Sequence, residues 1–241
     1  MILGSSFNML VVPYLLLYLH AEFGFRGAIL VTGGVCLNQI PASMVFHPVK
    51  WHSKKPHHCA TVQERDCKTD HLRAVLEAFI SNLSLLKFTR VVVISLPFAV
   101  YFTGVVFTSS YIPFVMQSTG YTLEDSAYCL TIMGIFHIMA TLIHPCLSFA
   151  FRGSHFPIMA VGYGSLPVAL VGFIHGTNIH VKAASMAFFG MSMSFVGVSI
   201  GPVIAETFDA SMVLRVLSIN GIFDTTAFLI IGPLTGSSLT F

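Results

Sequence analysis

The chain has 241 residues, 55% of them hydrophobic and only 9% charged, with a mean hydropathy of +0.81. A soluble domain carries about a quarter of its residues as charges and covers its core with them, so this composition excludes an ordinary soluble globule. The net charge of +2, with no basic stripe interleaved with aromatics, excludes a nucleic-acid-binding surface.

A helix rises about 1.5 Å per residue, and roughly 20 apolar residues cross the hydrocarbon core of a bilayer. In chain order, residues 2–17, 27–46, 91–116, 127–151, 156–174, 183–205 and 212–233 form apolar runs of that kind or nearly so. They predict an all-α, polytopic transmembrane bundle of about seven spans, with the lipid bilayer as its first partner. The opening run lacks the basic leader and small-residue cleavage pattern of a signal peptide, and reads as a helix whose preceding chain is missing.

Between the second and third runs lies the only long polar stretch, residues 50–90, which holds eight of the 12 Lys and Arg residues. Basic residues near span ends mark the cytosolic side, so this loop is expected inside. Threading onward places Arg152 and Arg215 inside too, and leaves Arg26 and Lys182 outside. Three of the five cysteines, Cys36, Cys129 and Cys146, sit in apolar runs and two, Cys59 and Cys67, in the loop. That is not the dense spacing of a disulfide scaffold, and the thiols are expected to be reduced. His57, His58, Cys59, Cys67 and His71 are soft metal ligands by type, but their spacing matches no compact zinc motif. No metal and no cofactor are expected.

Pro13, Pro97, Pro113, Pro145, Pro167 and Pro202 fall within the spans, and Gly197 and Gly201 are spaced as a GxxxG. Such residues serve close helix packing in bilayers, or mark bends that a moving carrier uses.

Four stretches carry a family likeness: residues 22–38 (EFGFRGAILVTGGVCLN) with 47–52 (HPVKWH), residues 81–87 (SNLSLLK), residues 200–206 (IGPVIAE), and residues 219–223 (INGIF) with 231–236 (IGPLTG). In these the sequence resembles monocarboxylate transporters of the major facilitator superfamily, in an arthropod-like form. The likeness covers nearly the whole chain and places its spans on the fifth to eleventh helices of that fold. It implies an incomplete major facilitator bundle: 1–46 as the end of the N-terminal half with two helices, 47–90 as a cytosolic loop, and 91–241 as five helices of the C-terminal half. It further implies a plasma-membrane symporter for small monocarboxylates or related organic solutes, proton-coupled and working by alternating access, with room for an accessory membrane protein as partner. With the first four helices and the twelfth missing, a transport-incompetent remnant with an interaction role is the other expectation, from a truncated gene product or a partial gene model.

Family members carry an acidic residue on the eighth helix and an arginine four residues on, which resemble a proton acceptor and a carboxylate anchor. An ungapped match puts His137 and Thr141 on those positions, so both charges are gone. His137, Thr141 and His144 still form one helical stripe, and an imidazole titrates near neutrality. The other reading of that stripe is a drifted position satisfied by neighbouring hydroxyls and carbonyls. Asp224, about 12 residues into the last span, is a functional candidate because ionisable groups are costly at that depth. It is expected to pair with His137, or else to bond locally beside Thr225 and Thr226. An enzyme is not expected: there is no HExxH, no phosphate-binding glycine loop and no nucleophile elbow. A seven-helix receptor has only the span count in its favour.

Overall fold

The apolar runs all form helices. The computed structural model describes residues 2–44 and 88–238, and among the described residues there is no strand. The elements are α1 (Ile2–Leu37), α2 (Gln39–Met44), α3 (Thr89–Ser118), α4 (Leu123–Ala150), α5 (Phe156–His175), α6 (Ile179–Thr207) and α7 (Ala210–Ser238). Among the described residues, six stretches are long and apolar enough to cross a bilayer: Leu10–Pro41, Thr89–Ser118, Leu123–Ala150, Phe156–His175, Ile179–Thr207 and Met212–Pro233. The chain is thus a multi-pass helical membrane protein by length and composition. The loop carrying His57, His58, Cys59, Cys67 and His71 lies outside the described residues.

The count is six rather than the expected seven because the first two runs are not parted by a loop. Leu19, Ala21 and Glu22 are good helix formers, and the helix runs on through them with a single break at Gly24 (φ 66, ψ −179). Only glycine takes that backbone region without steric cost.

The structure falls into two compact units, Met1–Tyr14 with Phe79–Phe241 in one and Leu15–Ala78 in the other. In the second, Leu19 and Ala28 are buried while Phe23 and Phe25, on either side of Gly24, are exposed. Thr32 Oγ1 donates to the Ala28 carbonyl, and Asn38 Nδ2 donates to Gly34, so their polar atoms are met by the helix itself.

In the larger unit α6 is the central helix. It packs along α4 and α5, while α3 packs on α7 and α4. Lipid tails are as apolar as leucine, so close packing and interhelical hydrogen bonds hold such a bundle, rather than escape from water. The closest approach is at Gly190 of α6, where a Cβ would collide with the Met133 carbonyl of α4. Gly162 of α5 meets α6 in the same way: its Cβ would stand 2.7 Å from Val196 Cγ2 and 3.1 Å from the Ser192 carbonyl. The GxxxG pair plays no such part. Gly201 has open space beside it, and Gly197 has only the Tyr101 hydroxyl, 3.7 Å from a Cβ.

Two further features fix the bundle. Tyr101 Oη donates to the Met193 carbonyl (2.8 Å), tying α3 to α6, and its ring meets Tyr163 edge-on. The start of α4 lies four residues before the apolar run because a capping box sets it. Thr122 Oγ1 accepts from the Asp125 amide (3.2 Å) and Asp125 Oδ2 accepts from the Thr122 amide (3.0 Å), which satisfies two helix-end donors that would otherwise be orphaned.

Candidate functional site

A polar stripe runs down α4 where it faces α6. His137 and His144 are buried and Thr141 is half-buried between them, so the spacing of three, four and seven residues does put these side chains on one inward face. On the opposing helix, Ser194 and Ser199 are also buried. Thr141 Oγ1 donates to the His137 carbonyl (2.8 Å) and lies 2.9 Å from Ser194 Oγ, while His144 Nε2 lies 3.0 Å from Ser199 Oγ. Each of these hydroxyls can donate or accept, so the seam accommodates either imidazole tautomer of His144.

The stripe continues to the end of the bundle. The His144 and His155 rings stack, with centroids 5.3 Å apart and planes 9° from parallel. His155 lies in the short turn between α4 and α5. Its Nε2 is 3.2 Å from Ser148 Oγ and 3.9 Å from Glu206 Oε1, and its backbone amide donates to the same carboxylate (3.2 Å). Beyond Glu206, the ends of α3, α6 and α7 surround a cavity of about 710 Å³ with a mixed lining that includes Arg90, Glu206 and Asp209 beside Phe88 and Phe208. His144, His155 and Glu206 therefore form a file of titratable groups leading in from one end of the bundle, with His137 two turns further along the same face of α4. His155 and Glu206 were not foreseen from the sequence. The signal was available only as a histidine in a turn and an acid at a helix end, with nothing to join them.

Asp224 is elsewhere. It lies on α7, which packs chiefly on α3, whereas the histidine stripe packs on α6. Asp224 is half-buried, and its Oδ1 is buried without a hydrogen-bond partner. Local bonding does not account for it: Thr225 and Thr226 each donate back to their own helix, at Gly221 and Ile222, and the helix is unbroken there.

Lys182, at the start of α6, is 2% exposed, with Nζ donating to the Phe173 carbonyl (3.1 Å) and lying 4.7 Å from the Phe173 ring centroid and 5.6 Å from that of Tyr121. A cation there meets the negative end of α5 and two aromatic faces. It closes the far end of the bundle, opposite Glu206.

No group of three or more metal-ligating His, Cys, Asp or Glu side chains occurs among the described residues. The chain matches no family model, no curated protein and no solved structure.

Proposed function

We propose that this chain is a carrier that moves small organic solutes across a membrane with protons as the coupling ion. The observation that carries the reading is the His144, His155 and Glu206 file, with His137 buried further along the same face. Chains of acids and histidines inside membrane helices serve as proton relays, and such groups are otherwise too costly to keep there. His144 and His155 stack at 5.3 Å and His155 faces Glu206 at 3.9 Å, so a proton taken up at the bundle end has short steps inward. Monocarboxylates are the first solutes to test because of the resemblance to monocarboxylate transporters. That resemblance also proposes the major facilitator arrangement, alternating access and the plasma membrane.

One observation favours the other reading, a membrane protein without transport that serves in interaction. A carboxylate crossing a bilayer needs a forked cationic donor, and the position that would supply it is Thr141, engaged with the His137 carbonyl and Ser194. The experiment is uptake of labelled lactate, pyruvate and a panel of neutral organic solutes into proteoliposomes under an inward proton gradient. Saturable uptake that collapses with a protonophore, and loses its proton dependence in His144→Gln, supports the carrier. Absence of uptake of any solute by protein that remains folded supports the interaction reading.

A further inference from the structure

Many hydroxyl side chains in these helices bond back to a carbonyl one turn earlier. Ser109, Ser110, Ser218, Thr225 and Thr226 each do so at 2.8 to 2.9 Å. Ser95 and Thr103 of α3 do not. Both are fully buried with their hydroxyl oxygens unpartnered. On α7, Asn220 is 3% exposed and has neither its Oδ1 nor its Nδ2 partnered, and one turn on Asp224 has its Oδ1 buried and unpartnered. A buried polar atom without a partner costs about 1–3 kcal/mol, and no water competes to meet it in hydrocarbon.

Thr131 Oγ1 of α4 and His155 Nδ1 are also buried and unpartnered, singly and elsewhere, whereas the orphans of Ser95, Thr103, Asn220 and Asp224 belong to one seam. Val91 of α3 shares an apolar cluster with Val216 and Ile219 of α7. Further along, the Phe102 and Phe107 rings both meet Phe228, at 6.0 and 5.8 Å between centroids. Beyond that, a Cβ on Gly232 would lie 3.8 Å from the Phe107 ring. Contacts advance along both helices in the same direction, so α3 and α7 run parallel. In that register Ser95 stands level with Asn220, Ala99 with Asp224, and Thr103 a turn beyond.

We propose that Asp224, Asn220 and Ser95 form a binding site for a small monovalent cation, of the sodium type, between α3 and α7. The donors decide the class. A carboxylate, an amide oxygen and a hydroxyl are hard oxygen ligands, which suit alkali and alkaline-earth ions rather than soft metals. One carboxylate balances one positive charge, whereas calcium sites gather six to eight oxygens, usually from several carboxylates. The site does not rest on the carrier reading, because binding is measurable without transport.

The test is thermal unfolding of the purified full chain in detergent at fixed ionic strength, exchanging choline for sodium, with potassium as a second arm, alongside binding of radioactive sodium. The expected result is a Tm that rises with sodium concentration, by roughly 3–6 °C from none to a saturating excess, the size expected when a ligand binds only the folded state of a protein this long. Asp224→Asn abolishes the rise and Ser95→Ala reduces it, while His144→Gln keeps it. Should Asp224→Asn fail to fold, Ser95→Ala and Asn220→Leu carry the same comparison. A Tm indifferent to sodium and potassium, or a rise that Ser95→Ala and Asn220→Leu both preserve in full, overturns the site. A Tm that responds only to pH assigns the seam to a proton instead, and overturns it equally.

Discussion

Two seams of the same bundle treat polar side chains in opposite ways. Between α4 and α6, Thr141 meets Ser194, His144 meets Ser199, and Gly190 lets the helices touch. Between α3 and α7, Ser95, Asn220 and Asp224 have buried atoms unmet. In lipid a hydrogen-bonded polar pair acts as glue between helices, whereas an unmet one is a cost that only an external ligand can return. The first seam is therefore the rigid part of the bundle, and the second is where something binds.

The largest expected effect comes from breaking the rigid seam by its backbone contact. Gly190→Leu forces α4 and α6 apart, and overpacking of this kind costs about 1–3 kcal/mol or more. We expect loss of the monodisperse peak in size-exclusion chromatography, while Gly201→Ala, placed in open space, elutes unchanged. Equal damage from both would mean that the Gly190 approach does not hold the helices.

Next in size is the buried cation at the far end. Lys182→Met removes a charged hydrogen bond to the Phe173 carbonyl, worth about 1.5–3 kcal/mol, although it keeps most of the stem. A fall in Tm is expected, whereas Arg152→Met, on an exposed turn residue, leaves Tm where it was. Because this loss is local to the α5 and α6 ends, the sodium response of the α3 and α7 seam should survive it.

The smallest effect is the most specific. A double-mutant cycle of His144→Ala and Ser199→Ala measures one interhelical bond, and membrane values average about 0.6 kcal/mol with a maximum near 1.7. Coupling in that range is expected from the unfolding free energies. Additive effects would place the His144 and Ser199 groups out of contact and weaken the proton file that begins there.

Much of the fold was legible in hydropathy, since a run of 20 apolar residues has few alternatives to a span. The start of α4 was legible too, through Thr122 and Asp125, but a short cap is hidden beside a long apolar run. What could not be read was which small or polar residues matter. Gly190 and Gly162 look like any glycine until another backbone is brought against them, and the regularly spaced Gly197 and Gly201 drew notice for a contact they do not make. Position along a span places Lys182 near a helix end but does not reveal the aromatic faces folded around it. The stripe of His137, Thr141 and His144 was visible because it depends on one helix alone. The continuation to His155 and Glu206, and the separation of Asp224 from that stripe, depend on how helices pair, which local pattern does not encode.

The central claim, that the α3 and α7 seam is kept unsatisfied for a ligand while the α4 and α6 seam holds the bundle, is tested most directly by Asn220→Leu. Leucine fills a similar volume and removes two unmet polar atoms, and replacing buried polar groups by apolar ones of like shape is neutral or stabilising. Measured in sodium-free buffer, the Tm of Asn220→Leu should equal or exceed that of the unaltered chain, with Ser199→Ala falling below it, and adding sodium should no longer raise it. A Tm for Asn220→Leu that drops as far as that of Ser199→Ala in sodium-free buffer would show that Asn220 is already satisfied within the protein, and would contradict the account.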